Sequence, residues 1–276
     1  MKFAIAILLM LCSLLNVAQN NYRILKVEGC IKVMPSLNCI SKQTILSGQE
    51  MLKFDSICCF AILMSSAGEI FSLKVPDTIS NFNKRELLFT FAETTETLNS
   101  SQIRGSSSPQ ITNFEYFFGN SKFTVIGDEV RIGVNPLLFP INKKKFLVLH
   151  YNLDTFEVSK RLGFRDQVFR IQKNSLNEFQ GMVFNKEKIE SVCLYYYEPA
   201  TKSSQLLATF DLAFISLQRL NDEFEYVYNQ LPNKGTINAE ELEHTFETFF
   251  ENAYGKTETQ SLHYVIDEYI SKLIKN

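Results

Sequence analysis

The sequence predicts a mainly β protein that ends in helices: a small barrel-like β-domain, then a β-sandwich of immunoglobulin-like architecture, then three amphipathic helices. Three observations carry this. Twenty-four Phe and eleven Tyr with no Trp favour strands, because aromatic side chains pack well on a sheet face. Short apolar runs separated by turn residues recur up to Ser216, which is the pattern of strands. From Leu217 the apolar residues repeat at three and four, the period of an amphipathic helix.

The first element is an export signal over residues 1–18. Lys2 precedes an apolar run from Phe3 to Leu11, then Cys12, Ser13 and Leu14-Leu15, and Ala18 before Gln19 offers a small residue at the cut. A spanning helix needs about 20 apolar residues, and Asn16, Gln19, Asn20 and Asn21 end this run too soon. Cys12 follows Leu11 and lies inside the apolar core, which argues against lipidation. The expected mature chain is therefore exported, periplasmic or extracellular, with no membrane span after signal cleavage. Lys2 leaves with the signal, so 28 − 1 = 27 basic side chains face 30 acidic ones. No long run of either sign occurs, which argues against nucleic acid or an anionic membrane as partner.

The small β-domain is expected over residues 19–92. Ile24-Leu25-Lys26-Val27 and Ile31-Lys32-Val33 flank Glu28-Gly29, and Leu46-Ser47-Gly48-Gln49-Glu50 reads as a turn before Met51-Leu52. The continuous apolar run Ile57 to Met64 has the length of a fully buried strand, and Ser65 to Glu69, with Gly68, returns the chain into Ile70-Phe71-Ser72-Leu73. Many short strands with tight turns favour closure into a small barrel, which removes exposed edges. Residues 77–92 are expected to finish this domain as a short helix or strand. Thr, Ser, Asn and Gln dominate residues 93–110, a composition with too little apolar surface to offset ordering, hence a flexible linker.

Gly29 followed by alternating Ile31 and Val33, then Leu46-x-Gly48-Gln49-x-x-Leu52, then an apolar strand and the Gly68 hairpin into Ile70 and Leu73, resembles the small periplasmic β-domain of the FecR type over residues 22–75. That family has Leu-x-x-Gly-Asp-x-Leu in the middle motif. Here Ile45 or Leu46 supplies the first apolar residue, Gln49 replaces the Asp, and Leu52 comes one position late. The resemblance implies a barrel-like interaction module outside the inner membrane, without a catalytic residue. It places the chain beside exported bacterial proteins that carry such a domain in front of other modules.

The sandwich is expected over residues 111–216. Strand candidates are Lys122 to Ile126, Glu129 to Val134, Lys145 to Tyr151, Thr155 to Leu162, Gln167 to Gln172, Ile189 to Tyr197 and Leu206 to Ile215. Gly127-Asp128 suggests a hairpin between the first two. Seven strands of this spacing suit a sandwich, although no Cys…Trp…Cys signature of a true immunoglobulin domain is present. Alternation puts Val192, Leu194 and Tyr196 on one face and Cys193, Tyr195 and Tyr197 on the other. Both faces are apolar or aromatic, so this strand should be central.

Residues 217–276 are expected to form the helical region. Leu217, Leu220, Phe224, Val227, Tyr228 and Leu231 mark a first helix, which Pro232-Asn233-Lys234-Gly235 ends. Asn238 with Glu241 makes a capping pattern for a second helix, which Gly255 stops, and Thr257 with Gln260 repeats it for a third.

Few residues point to chemistry. After processing five cysteines remain, Cys30, Cys39, Cys58, Cys59 and Cys193, an odd count that leaves a free thiol. A Cys30–Cys39 bridge, or Cys39 with Cys58 or Cys59, competes with each being a small buried hydrophobe. No Cys-x-x-Cys pair or Cys/His set argues for a metal, and no cofactor is expected. The loop around Gly235 imitates an EF-hand, but it puts Gln230, Pro232 and Lys234 where oxygen ligands belong. His244 and His263 fall beside their helical stripes and read as surface. His150, near a strand end, would need a nucleophile and an orienting carboxylate to serve a hydrolase, and no nucleophile elbow selects one. Lys143-Lys144-Lys145 reads as a solvated turn. Tyr195, Tyr196 and Tyr197 can supply aromatic surface for a protein or a glycan, against a core role in a central strand. The leading expectation is a non-catalytic, exported protein-interaction module of the cell envelope. The alternatives are glycan or peptidoglycan binding and a hydrolase using His150.

Overall fold

A computed structural model of the chain describes residues 21–76, 87–97, 110–119, 121–232 and 234–275. The expected signal at 1–18 and most of the expected linker lie outside these residues. The chain divides into two compact units. The first joins the described residues of Met1–Asn99 to Tyr226–Thr236, and the second holds those of Ser100–Glu225 and Ile237–Asn276. The protein is mainly β and closes with helices, as its composition and apolar spacing predict.

In the first unit, strands β1 (Tyr22–Glu28), β2 (Ile31–Val33), β3 (Asn38–Cys39), β4 (Ile45–Leu46), β5 (Met51–Phe54), β6 (Phe60–Ser65), β7 (Ile70–Lys74) and β8 (Leu88–Thr90) precede a helical turn α1 (Phe91–Thr94) and β9 (Thr95–Thr97). They form two antiparallel sheets, ordered β4-β1-β6-β7-β9 and β3-β2-β5-β8. Ile24, Leu63 and Leu73 from the first sheet meet Ile31, Leu52 and Phe54 from the second in one core. The run from Ile57 enters its strand only at Phe60, because Ser56 holds a turn: its Oγ accepts from Cys58 N at 3.0 Å and its carbonyl from Cys59 N at 3.2 Å.

Two expected boundaries move. Residues 93–97, expected in the linker, belong to this unit. The Glu93 carboxylate accepts from Thr90 N at 2.7 Å and from Thr90 Oγ1 at 2.8 Å, which starts α1, and β9 then pairs Thr97 with Phe71 and Thr95 with Leu73. A backbone that finds a sheet partner is ordered despite a polar composition. Likewise Tyr226–Thr236, expected within a separate helical region, belongs to the first unit. The Tyr226 hydroxyl donates toward Lys42 O at 2.7 Å and Ile24 O at 3.1 Å, and burial raises its pKa, against the lowering effect of Arg23.

The second unit runs α2 (Phe114–Phe118), β10 (Lys122–Ile126), β11 (Glu129–Gly133), β12 (Phe146–Leu153), β13 (Phe156–Arg161), β14 (Gly163–Arg165), β15 (Val168–Gln172), α3 (Lys173–Leu176), β16 (Glu178–Phe179), β17 (Met182–Val183), β18 (Lys188–Glu198) and β19 (Ser203–Ile215). A five-stranded sheet has the order β10-β19-β18-β12-β13, and a three-stranded sheet the order β11-β15-β14. β10 runs parallel to β19, while the other pairs are antiparallel. Phe123, Leu147, Leu149, Leu194 and Phe210 of the larger sheet share a core with Val130, Ile132, Phe169 and Ile171 of the smaller. Tyr151 lies in that core with its hydroxyl donated to Leu176 O at 2.7 Å; burial pushes its pKa up to about 12. The Gly127-Asp128 turn is not a hairpin. Its neighbours β10 and β11 pair with β19 and β15, so the turn carries the chain from one sheet to the other.

Three helices follow, α4 (Leu217–Gln230), α5 (Ala239–Tyr254) and α6 (Thr259–Lys275). Asn238 caps α5, its Oδ1 accepting from Glu241 N at 2.9 Å. At α6 the cap is Glu258, one residue after the expected Thr257, and it accepts from Ser261 N at 2.7 Å. Gly255 ends α5 at φ 75° and ψ −154°. There the chain meets β10: Lys256 N donates to Lys122 O at 3.0 Å, Thr124 N to Lys256 O at 2.7 Å, and Thr124 Oγ1 to Tyr254 O at 2.5 Å. No helix of the described residues is long and apolar enough to cross a membrane.

Candidate functional site

The outer face of the five-stranded sheet gathers the side chains most suited to recognition. β18 is its central strand, as two apolar faces predict. Val192, Leu194 and Tyr196 point to the core, so Tyr196 separates from its neighbours. Its ring meets Phe139 edge-on at 5.9 Å and its hydroxyl donates to Pro140 O at 2.8 Å. Burial, with a smaller contribution from Glu198, raises the pKa of that hydroxyl.

Cys193, Tyr195 and Tyr197 face the other way and are half-buried. Cross-strand pairs at one register position share a face, and the register builds rows from them. Arg161, Val148, Tyr195 and Leu206 follow one another across β13, β12, β18 and β19. Phe146 pairs with Tyr197 in the row beside it, their rings 5.5 Å apart. The Arg161 guanidinium lies 3.7 Å from the centre of the Phe146 ring, a cation–π contact that lays a flat cationic surface over an apolar one. Leu206 is 51% exposed. At the rim Lys145 pairs with Glu198 at 3.2 Å.

The next row holds Ser159, His150, Cys193 and Thr209. His150 Nδ1 lies 2.9 Å from Ser159 Oγ, and Nε2 lies 3.0 Å from Glu157 Oε1. A nucleophile candidate and a carboxylate thus flank the imidazole, the set that sequence alone did not select. Both come from β13, and both are exposed on an open sheet face, where water competes for every developing charge. A base needs a dry, preorganised surround to work well. The arrangement is better suited to fixing the His150 ring, which stands edge-on to Tyr195 at 6.4 Å.

The remaining candidates are scattered. Cys30 and Cys39 form a disulfide; Cys58 is exposed, Cys59 buried and Cys193 half-buried, all as thiols. A cavity of about 270 Å³ opens beside this disulfide, lined by Val33, Asn38, Cys39, Ile40, Leu46 and Glu50 among others. Glu50 is the ionic group there, and its carboxylate already accepts from Ser47 N and Oγ, Gly48 N and Gln49 N. It anchors the turn and has little capacity left for a ligand. Burial alone would raise the Glu50 pKa, but the hydrogen bonds from Ser47 and Gly48 outweigh it and hold it low.

Of the EF-hand-like loop, Asn233 lies outside the described residues. Lys234 O accepts from Tyr228 Oη at 3.2 Å, so that carbonyl serves the helix end. His244 is exposed. His263 is not simple surface: it is half-buried, with Nε2 2.9 Å from Glu247 Oε1 and Nδ1 3.8 Å from Glu243 Oε1.

Nothing local in the sequence distinguishes Phe146, Arg161 and Leu206. Each is ordinary in its own strand, and only the strand order brings them to Tyr195 and Tyr197. No protein-family model matches the chain, and no curated protein matches its sequence.

Proposed function

We propose that the chain is an exported, non-catalytic protein of the cell envelope whose β10-β19-β18-β12-β13 sheet binds a protein partner through its outer face. The observation that carries this reading is the row Arg161, Val148, Tyr195, Leu206 beside Phe146 and Tyr197. Tyr and Arg are enriched where proteins bind each other, and an apolar centre with a charged rim is the usual anatomy of such a patch. The side chains sit on strands, so the surface is rigid before binding and little ordering entropy opposes association. The amino-terminal charge and apolar pattern supports export, and the FecR-like pattern of residues 22–75 supports a place outside the inner membrane.

The test uses the secreted form of the full chain with a photo-crosslinking residue at Leu206. The reading expects one defined envelope protein to be captured, and Tyr195→Ala with Tyr197→Ala to weaken its binding by at least about tenfold, the loss of one interface anchor of 1–2 kcal/mol. Capture that is unaffected by these substitutions, or the absence of a defined adduct, refutes it. Retention on purified cell wall that the same substitutions abolish would replace the protein partner by a glycan.

A further inference from the structure

α5 and α6 carry a cluster unconnected with the sheet face. Glu243 and Glu247 are one turn apart on α5, and residues at this spacing stand on the same side of a helix. His263, in the second turn of α6, reaches both. Its Nε2 is 2.9 Å from Glu247 Oε1 and its Nδ1 3.8 Å from Glu243 Oε1. One ligand atom from each of the three side chains lies within 4.8 Å of the other two. The helices beneath are fixed by packing, with Leu242, Phe246, Phe249 and Ile266 buried and the Tyr269 ring edge-on to Phe246 at 5.4 Å.

From this we propose that Glu243, Glu247 and His263 bind a divalent transition-metal ion, Zn²⁺ before others, that ties α5 to α6.

The distances come within range of coordination by side-chain rotation. Zn–N and Zn–O bonds are about 2.0–2.2 Å, which places neighbouring ligand atoms about 3–3.5 Å apart. One ring nitrogen binds the ion, so closing from 4.8 Å takes rotation of the Glu side chains that brings the Glu243 carboxylate from Nδ1 round to the Nε2 side where Glu247 lies. The donor set also selects the class of ion: an imidazole nitrogen suits Zn²⁺ and its neighbours and disfavours Ca²⁺ and Mg²⁺, which take oxygen. Three protein ligands leave a position for water. The side chains are 37% (Glu243), 20% (Glu247) and 36% (His263) exposed, enough for an ion and its water to enter.

Charge favours the same conclusion. Like charges one turn apart on a helix repel. A divalent ion brings a double positive charge between them.

The experiment is titration of the full chain, stripped of metal with a chelator, with Zn²⁺ by calorimetry and with Co²⁺ by visible spectroscopy. The proposal expects one equivalent of Zn²⁺ at low-micromolar affinity or better, and Co²⁺ absorption of low-coordinate type that Zn²⁺ displaces. His263→Gln and, separately, Glu247→Gln weaken binding by about tenfold or more, since even a hydrogen-bond partner of a metal ligand is worth about 10–100-fold, while His244→Gln on α5 leaves it unchanged. Circular dichroism establishes that each variant is folded, and Glu243→Gln replaces any that is not. Failure of the wild-type chain to bind Zn²⁺ in stoichiometric amount overturns the proposal. So does binding that survives both His263→Gln and Glu247→Gln, since the imidazole would then be only the middle of an ion-pair clamp.

Discussion

Replacing Gly255 with Ala tests how the end of α5 is joined to β10. The backbone there has φ 75° and ψ −154°, a region that residues with a Cβ enter at a cost of about 1–3 kcal/mol. A Cβ would also lie 2.4 Å from Lys122 O, and Lys122 O is fixed, because it accepts from Lys256 N at 3.0 Å. Relieving the overlap moves the chain away from β10 and loosens that bond and the 2.7 Å bond from Thr124 N to Lys256 O. Each is worth about 1 kcal/mol net, so the expected loss is about 3–5 kcal/mol. Gly127 provides the control: its φ is 83°, and a Cβ there would meet nothing within 4 Å, so Gly127→Ala should cost only about 1–2 kcal/mol. Urea unfolding followed by the near-ultraviolet signal of the aromatic core compares the two. If Gly255→Ala is no more destabilising than Gly127→Ala, the overlap with Lys122 O contributes nothing.

Other substitutions probe other links. Cys30 and Cys39 are 9 residues apart, and opening a loop of this size by Cys39→Ser should cost the first unit about 2–3 kcal/mol; peptide mapping without reductant and thermal unfolding check both the bond and its effect. Glu50 has its folded pKa held below its unfolded value, so its contribution is present above the unfolded pKa and lost as pH falls through the folded one. Glu50→Gln should therefore be most destabilising near neutral pH and converge on wild type in acid, measured as unfolding midpoints across that range. The Thr248 hydroxyl is buried without a hydrogen-bond partner among the described residues, so Thr248→Val should raise stability by about 1 kcal/mol, and a lowered unfolding midpoint would show that the hydroxyl is satisfied.

The elements that could be read from sequence are those written in local pattern. The faces of β18, the stop at Gly255 and the Asn238 cap each follow from residues within one turn or one strand. The strand order could not be read, because pairing of β10 with β19 joins segments nearly ninety positions apart, Lys122 with Asp211 among them. The sheet-face site shared that fate: Arg161 and Leu206 acquire meaning only when β12 and β18 lie between them. Residues 93–97 show the converse. Their polar composition is that of a linker, but Glu93 has Thr90 to cap and Thr95 to Thr97 have β7 to pair with. His263 looked peripheral for a related reason, since helical spacing places a residue relative to its own stripe and says nothing of the neighbouring helix.

Helix α4 has a consequence for the order in which this protein is completed. The first unit lacks its last part until Tyr226 has been synthesised, because the hydroxyl that reaches Ile24 O is 202 positions away in the chain. The strands that emerge first are thus among the last to acquire their full set of partners, and contacts of such long range form slowly. A fragment cut after Thr97 would retain both sheets and their core but leave the carbonyls of Ile24 and Lys42 without the tyrosine. Any attempt to study the small β-unit alone should supply residues 226–236 as well, on the same chain or as a peptide.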